Sequence, residues 1–256
     1  MTYRAVLFDL FDTLVAFDRT RLPELTIKGK VVRSTAGKLY EAFHPFAPGL
    51  DLGDFVDGLM WSWQEAERIR NEDYREVAAP ERLAMLVRRL GFDPAALDPA
   101  AMPTLLATHM RELSKAIVFP SHHGPLLRAL ASRYRLAVVS NFDYTPTAMG
   151  VLEREGIAEL FETILVSDEV GWRKPKPLIF ELALSRLGLA PAEALFVGDR
   201  IDIDVAGAQG VGMGSAWINP DGTALPPDVQ PPDHEIRDLA ELGPILGIPG
   251  GRASIT

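Results

Sequence analysis

The sequence predicts an α/β protein: a doubly wound parallel sheet with a helical bundle inserted after its first strand. Three observations predict this class. An apolar run at 5–8 reads as a buried strand, and the segment 16–117 has helical periodicity. From about residue 126 onward, short apolar runs alternate with helical segments. Such alternation is typical of a parallel sheet covered by helices on both faces.

The composition is that of a protein with a full hydrophobic core. The 256 residues are 47% hydrophobic, enough for two lobes. A formal net charge of −9 disfavours a general nucleic-acid binder. The chain has no apolar run of membrane-spanning length and no secretion signal at its start, so we expect a cytoplasmic protein without a membrane partner. The absence of cysteine excludes disulfides and thiol nucleophiles. The oligomeric state stays open.

The first predicted strand ends at a carboxylate. Asp9 directly follows the run 5–8, and Phe11 and Asp12 come next in the loop. Ligands of open α/β sheets gather outside the carboxyl ends of the strands, so Asp9 is placed to act as a nucleophile or a metal ligand. The alternative is that Asp9 only caps the following turn.

The inserted segment predicts four helices and no strand. Pro80 at the front and Gly91 just past the end bound the third of them. The apolar faces are, in order, Val32, Ala36, Leu39, Tyr40 and Phe43; Phe55, Leu59, Trp63 and Ala66; Leu83, Leu86, Val87 and Leu90; and Met102, Leu105, Leu106, His109, Met110 and Leu113.

The second half of the chain supplies the rest of the predicted sheet. Strands are expected at 136–139, 164–166, 195–197 and 214–218, and helices at 179–187, 205–208 and 239–246. This pattern predicts three segments: an α/β core of 1–15 with 118–246, a helical insertion over 16–117, and a frayed tail at 247–256.

Polar residues that could take part in catalysis follow three of these strands. Ser140 directly follows the strand at 136–139, Lys174 lies in the loop after 164–166, and Asp199 and Asp204 follow 195–197. Carboxylates gathered at one point repel one another, so a cation is expected among them, and Mg²⁺ prefers such oxygen ligands. With a phosphate bound, Asp9 could attack the phosphorus while Lys174 and Ser140 contact the transferring oxygens.

Each of these residues also has a purely structural interpretation. Ser140 could end a strand, Lys174 could be a solvated loop charge, and Asp204 could cap the next helix, as could Asp202. The adjacent His122 and His123 are interpreted as loop residues, because neighbours in sequence seldom point at one metal.

In this order, the four motifs resemble the signature of the haloacid dehalogenase superfamily over most of the chain. The resemblance implies a helical cap over the site and Mg²⁺-dependent hydrolysis of a small phosphorylated metabolite. It further implies that Asp9 is the nucleophile and a metal ligand, that Ser140 and Lys174 bind the phosphoryl group, and that Asp199 binds the metal. Asp204 completes the metal site, and Asn141, Phe11 and Asp12 are expected at the substrate.

One position departs from the pattern of the superfamily's phosphatases. These usually carry an aspartate two residues after the nucleophile, which protonates the leaving oxygen, whereas this chain has Phe11. General acid–base assistance is worth about 10² to 10⁴ in rate, so a substrate with a good leaving group, such as an acyl phosphate, is favoured. Asp12 takes the place usually held by glycine, and it could substitute only if the loop follows a different path.

Two other enzyme classes and a non-catalytic role remain open. The 2-haloacid dehalogenases of the superfamily also lack that aspartate, and Phe11 with Ser140 and Asn141 fits them, although they use no metal. A phosphonoacetaldehyde hydrolase needs a Schiff-base lysine, for which Lys28, Lys30 and Lys38 qualify only by position. A non-catalytic member would bind a metabolite or a partner protein through the metal site.

Overall fold

The computed structural model describes residues 3–27 and 29–248. In chain order, its strands are β1 (Ala5–Phe8), β2 (Ala16–Phe17), β3 (Glu24–Ile27), β4 (Lys30–Arg33), β5 (Ile117–Val118), β6 (Arg135–Ser140), β7 (Thr163–Val166), β8 (Ala194–Gly198), β9 (Gly214–Ile218) and β10 (His234–Ile236). Its helices are α1 (Ala36–Phe43), α2 (Leu52–Asp73), α3 (Ala79–Arg89), α4 (Ala101–Ser114), α5 (His123–Ala131), α6 (Thr145–Arg154), α7 (Ser167–Val170), α8 (Pro177–Leu187), α9 (Ala206–Gly210) and α10 (Leu242–Ile245).

The chain divides into two compact units. The sheet unit comprises Met1–Ala16 and Phe119–Thr256, and the helical unit comprises Phe17–Val118. The insertion predicted from the sequence spans 16–117. The role of the helical unit as a cap over the site stays a prediction. Of the predicted tail, residues 249–256 lie outside the described part of the chain.

The sheet unit contains a six-stranded parallel sheet with the order β10-β9-β8-β1-β6-β7. Strand β1 lies between β6 and β8, with Phe8 opposite Val138 on one side and Val197 on the other. All four residues of β1 are buried, which explains the continuous apolar run in the sequence. The predicted α/β sheet is therefore confirmed.

Helix α8 covers one face of this sheet. Phe180 packs against Phe196 of β8, with ring centroids 5.1 Å apart at 69°. The same core includes Leu7 of β1 and Val139 of β6. This packing fixes the central strands, and with them the loops that leave their carboxyl ends.

The helical unit has its own core. Phe43 of α1 packs against Phe55 of α2, and Leu83, Leu86 and Leu105 from α3 and α4 complete the cluster. Asp51 caps α2 by accepting hydrogen bonds from the backbone N–H groups of Gly53 and Asp54. The second, third and fourth predicted helices are confirmed, although Trp63 is 52% exposed and does not join the buried face of α2.

Two predictions for the insertion were wrong. The segment contains strands, because β3 and β4 form an antiparallel hairpin that pairs Leu25 with Val32. Consequently Val32 does not belong to the first helix, which begins only at Ala36. The consecutive β-branched residues Val31 and Val32 disfavour a helix and suit a strand, so local propensity prevailed over an apparent helical spacing.

The sheet unit differs from expectation at smaller elements. Strand β10 was not predicted, and the expected helix at 205–208 is a π-helical turn, Ile201–Val205, followed by α9. The expected helix at 239–246 is likewise split into a 3₁₀ turn and α10. Between residues 3 and 248, none of the described helices is both long and apolar enough to cross a membrane.

Candidate active site

The candidate site lies at the carboxyl ends of three adjacent strands. Asp9 follows β1, Ser140 ends β6, and Asp199 follows β8. Because β1 pairs with β6 on one side and β8 on the other, the strand order reverses at β1, and open α/β sheets bind their ligands outside the carboxyl ends of the strands at such a point. The backbone N–H of Asp9 donates to the carbonyl of Val197 at 2.9 Å, which holds Asp9 against β8.

A buried ammonium group joins two of the predicted acids. The Nζ atom of Lys174 lies 2.7 Å from Oδ1 of Asp9 and 2.7 Å from Oδ1 of Asp204. It also lies 5.1 Å from the ring centroid of Phe196. Burial by itself lowers the pKa of Lys174, but the two carboxylates outweigh it and raise the pKa above its ordinary value. Lys174 is therefore a fixed positive charge within the site, not a solvated loop residue.

Gly198 makes room for the second of these acids. A Cβ atom at this position would overlap the side chain of Asp204. The other carboxylate oxygen of Asp204, Oδ2, accepts a hydrogen bond of 3.1 Å from the backbone N–H of Arg200. Asp202, by contrast, is exposed and pairs with the Arg200 guanidinium at 2.9 Å. The structure thus brings Asp204 into the site and leaves Asp202 at the surface.

Asp9, Asp199 and Asp204 form one carboxylate cluster. One oxygen of each lies within 4.8 Å of those of the other two. Burial, and then the charges of Asp9 and Asp204, raise the pKa of Asp199 to about 7. Burial likewise raises the pKa of Asp9 to about 6, with Lys174 opposing it. Three carboxylates against one ammonium leave excess negative charge, so the donor set fits a hard divalent cation.

Ser140 contributes an unsatisfied hydroxyl. The residue is fully buried, and its Oγ atom has no hydrogen-bond partner among the described residues. A buried polar atom without a partner costs free energy, so the Ser140 hydroxyl is a candidate to hydrogen-bond a ligand at this edge of the sheet.

Asn141 holds the backbone of Lys174. Its Nδ2 donates to the Lys174 carbonyl at 2.9 Å, and its Oδ1 accepts from the Lys174 N–H at 2.8 Å. Both polar atoms of the amide are therefore engaged within the protein. The geometry favours a positioning role for Asn141 over the predicted contact with substrate.

Phe11 stands beside a second aromatic residue. Its ring centroid lies 4.7 Å from that of Phe142, at an interplanar angle of 38°. Asp12 is exposed and has a left-handed backbone with φ of 57°, as suits a position where glycine is common. Its charge contributes to the raised pKa of Asp199, so its carboxylate lies within electrostatic range of the cluster.

Sequence reasoning missed several residues that hold the site in place. Ser167 Oγ accepts from the N–H of Phe142 at 3.0 Å, and Asp168 accepts from the N–H of Thr145 at 2.8 Å. Trp217 of β9 donates through Nε1 to the Asp199 carbonyl at 2.8 Å. The position of Ser167 and Asp168 directly after a predicted strand was the available signal, whereas nothing local marked Trp217.

Comparison with known families decides the classification. A family model described as haloacid dehalogenase-like hydrolase matches residues 3–212. The chain belongs to this family. This haloacid dehalogenase-like hydrolase is 30% identical over 210 residues to the glyceraldehyde 3-phosphate phosphatase of Methanopyrus kandleri. The match covers 82% of this chain and 81% of that protein. It is 28% identical to the phosphoserine phosphatase of Thermus thermophilus over 93% and 97% of the two chains.

Solved structures extend the likeness in fold. A magnesium-bound HAD-hydrolase of Bacillus subtilis superposes with a TM-score of 0.64 at 24% identity, covering 97% of this chain and all of that one, which shows the shared fold. A 2-haloacid dehalogenase of Pseudomonas syringae superposes with a TM-score of 0.65 at 25% identity over 96% and 99% of the two chains. Because relatives of this hydrolase are named as phosphatases and a dehalogenase shares its fold, the fold does not separate these two chemistries, and the site must.

Proposed function

We propose that this hydrolase is a Mg²⁺-dependent phosphatase that acts on a small phosphorylated metabolite through an aspartyl phosphate at Asp9. The observation that carries the proposal is the acid cluster with its buried ammonium: Asp9 and Asp204 both lie 2.7 Å from Lys174, and Asp199 completes the cluster. The phosphatases named among its relatives support the same substrate class.

The proposed metal ligands are Asp9, Asp199 and Asp204. Asp199 is the best placed of the three, since no hydrogen bond to its carboxylate is found in the described part of the chain. Asp204 instead already engages Lys174 and the Arg200 N–H, so it also positions the lysine. When bound, Mg²⁺ supplies positive charge to the transferring phosphoryl oxygens.

Side chains of the protein carry out the attack on phosphorus and hold the phosphoryl group. The Asp9 carboxylate attacks phosphorus and forms the new P–O bond, while the bond to the leaving oxygen breaks and its electron pair stays on that oxygen. The Lys174 ammonium and the Ser140 hydroxyl donate hydrogen bonds to the transferring oxygens. Asn141 fixes the position of Lys174 through hydrogen bonds to the backbone N–H and carbonyl of the lysine. Water then hydrolyses the aspartyl phosphate.

The departing oxygen receives no proton from position 11. Phe11 has no titratable group, and its ring lies against Phe142. Turnover must then depend on a leaving group that tolerates negative charge, or on another acid, of which Asp12 is the nearest in sequence. We therefore propose acyl phosphates and other activated esters as the preferred substrates.

The decisive experiment measures product release from three substrate sets, each with Mg²⁺ and with chelator. Phosphate release from phosphate esters or acyl phosphates that requires Mg²⁺ would support the proposal. Halide release from 2-haloacids that persists in chelator would replace it with a dehalogenase. Tight Mg²⁺ binding without turnover of any set would assign the chain a non-catalytic role.

The dehalogenase is the second candidate because Phe11, two residues after Asp9, packs against another aromatic ring, Phe142, and carries no acid. Against it stands the acid cluster, whose excess negative charge a metal-free enzyme would leave without a counter-ion. For a phosphonoacetaldehyde hydrolase, Lys38 pairs with Glu41 at 2.7 Å, Lys30 is exposed, and Lys28 lies outside the described residues. No observation favours any of them as a Schiff-base lysine.

A further inference from the structure

A second group of metal-ligating side chains lies outside the acid cluster. His122 and His123 begin α5, and Asp238 precedes the 3₁₀ turn Leu239–Glu241. One potential ligand atom of each of these three residues lies within 4.8 Å of those of the other two. We propose that this group, the His–His–Asp cluster, binds a first-row transition-metal ion such as Zn²⁺.

The rings of the two neighbouring histidines lie against each other at the start of α5. Their ring centroids are 4.6 Å apart and their planes are inclined at 79°. The Nε2 atom of His122 lies 3.0 Å from both carboxylate oxygens of Asp238. Although neighbours in sequence seldom point at one metal, a ligand atom of each histidine lies close to Asp238, so three candidate ligands come from two distant segments.

The tautomer of His123 suits a metal ligand. Its Nδ1 lies 2.8 Å from the backbone carbonyl of Leu14, an acceptor, so Nδ1 carries the proton and donates it. The other ring nitrogen, Nε2, then carries the lone pair that a metal needs. A backbone carbonyl that orients a histidine in this way is a common device of metal sites. At His122, the metal would replace the Nε2 proton that the ring donates to Asp238.

A cavity of about 340 Å³ opens beside the cluster and is lined by His123 and Asp238. Thr13 also lines it. The Thr13 side chain is buried, and its Oγ1 atom has no hydrogen-bond partner in the described residues. The cavity supplies a route for an ion and room for a water molecule as the remaining ligand.

The donor set selects the class of metal. Two imidazole nitrogens with one carboxylate favour Zn²⁺, Co²⁺ or Ni²⁺, whereas Mg²⁺ prefers oxygen alone. The cluster thus differs in kind from the proposed site at Asp9. Because its ligands come from the start of α5 and from the segment before α10, and because His123 also holds Leu14, bound metal should brace these segments and raise thermal stability.

The test uses tag-free full-length protein that carries Asp199→Ala, in excess Mg²⁺, so that zinc binding at the oxygen-rich site is suppressed. Zinc is titrated by calorimetry, and melting is followed with and without it. We expect one Zn²⁺ per chain and, at a hundredfold excess over Kd, a rise in melting temperature of roughly 5–10 °C. Co²⁺ should give visible absorption bands from a nitrogen-containing site.

Substitution of His122 is the decisive variant because its side chain is half-exposed. His122→Ala should weaken zinc binding by at least about tenfold and reduce the rise in melting temperature, at the same zinc concentration, to about half or less. His44→Ala, which removes an exposed histidine outside the cluster, should change neither. Asp238→Asn, which keeps an oxygen for the Ala240 N–H, gives a second variant should His122→Ala fold poorly.

The absence of stoichiometric zinc binding would overturn the proposal. Binding that survives both His122→Ala and Asp238→Asn unchanged would overturn it too. Since every measurement is made with Asp199 already removed, neither result bears on whether the protein hydrolyses phosphate.

Discussion

The Nζ atom of Lys174 lies 2.7 Å from Oδ1 of Asp9, with the lysine side chain 1% exposed. Removing one partner of a buried ion pair costs about 3–5 kcal/mol, since the other charge is left buried and unpaired. Lys174 has a second carboxylate partner, Asp204, at the same distance. Substitution of Asp9 therefore leaves the lysine paired, whereas substitution of Lys174 would leave two acids facing each other.

This asymmetry makes Asp9→Asn the cleanest test of covalent catalysis. We expect it to lower kcat by at least about a thousandfold, because the amide is a poor nucleophile, while the circular dichroism spectrum stays that of the wild type. Rapid-quench labelling should trap a phosphoryl group on the wild type and none on the variant. Substantial turnover by a correctly folded variant would exclude Asp9 as the nucleophile.

Removal of the divalent metal should stop the reaction. We expect a chelator to abolish phosphate release, excess Mg²⁺ to restore it, and Asp199→Ala to lower kcat/KM by at least about a hundredfold at saturating Mg²⁺. Asp202→Ala is the matched control, because that carboxylate pairs with Arg200 at the surface. Loss of activity in the control equal to that of Asp199→Ala would contradict the assignment.

The side-chain amide of Asn141 should affect catalysis by fixing the position of Lys174. Asn141→Ala deletes both hydrogen bonds to the Lys174 backbone, and we expect kcat/KM to fall by about 10- to 100-fold as the ammonium shifts. Asn141→Asp keeps an acceptor for the Lys174 N–H but sets a carboxylate oxygen against the Lys174 carbonyl, so it should recover none of that loss. If both variants raise KM alone and leave kcat intact, a direct substrate contact is the better interpretation.

Phe11 should make the rate depend steeply on the leaving group. Without a general acid, negative charge accumulates on the departing oxygen, so rates should fall as the leaving-group pKa rises. Phe11→Asp should help alkyl esters more than aryl esters, provided that the new carboxyl holds a proton beside the acid cluster. A series of esters of graded pKa measures both slopes.

A flat dependence in the wild type would mean that another residue already supplies the proton. Asp12 would then be the first residue to test. Asp12→Asn should in that case introduce the steep dependence, while leaving the rate on activated esters little changed.

His109 should make the helical unit sensitive to acid. Burial, with a smaller contribution from Arg82, lowers the pKa of His109 to about 3. Its Nε2 lies 2.9 Å from Nη2 of Arg82, an obligatory donor, and its Nδ1 lies 3.1 Å from Thr35 Oγ1. The neutral imidazole therefore accepts from Arg82, and protonation would end this hydrogen bond.

The sign of the effect follows from the lowered pKa. Below about pH 6.5 His109 binds a proton in the unfolded chain, whereas in the folded chain it stays neutral down to about pH 3. Between these pH values the free energy of unfolding therefore falls on acidification by about 1.4 kcal/mol per pH unit. Urea unfolding of the wild type and His109→Gln at pH 7 and pH 5 measures the difference. His44→Ala, which removes an exposed histidine, should keep the wild-type slope, and an equal slope for His109→Gln would contradict the prediction.

The sequence by itself determined five of the six strands of the sheet and the order of its chemical groups. Fully buried parallel strands must be apolar along their whole length, so 5–8, 136–139 and 195–197 stood out without structural information. The residue at each carboxyl end could then be read directly as Asp9, Ser140 and Asp199, because chain direction alone places it there. The amphipathic helices α3 and α4 were predicted from the helical spacing of their apolar residues.

Tertiary structure decided the contacts that give these residues their properties. Only the packing of distant segments buries Lys174 between Asp9 and Asp204, turns Asn141 onto the lysine backbone, and directs Asp202 outward. The β3–β4 hairpin and the His–His–Asp cluster also depend on pairing between segments whose local patterns are ambiguous. Local periodicity reports which face of an element is buried, whereas hydrogen bonds and charges between elements depend on the three-dimensional arrangement that packing selects.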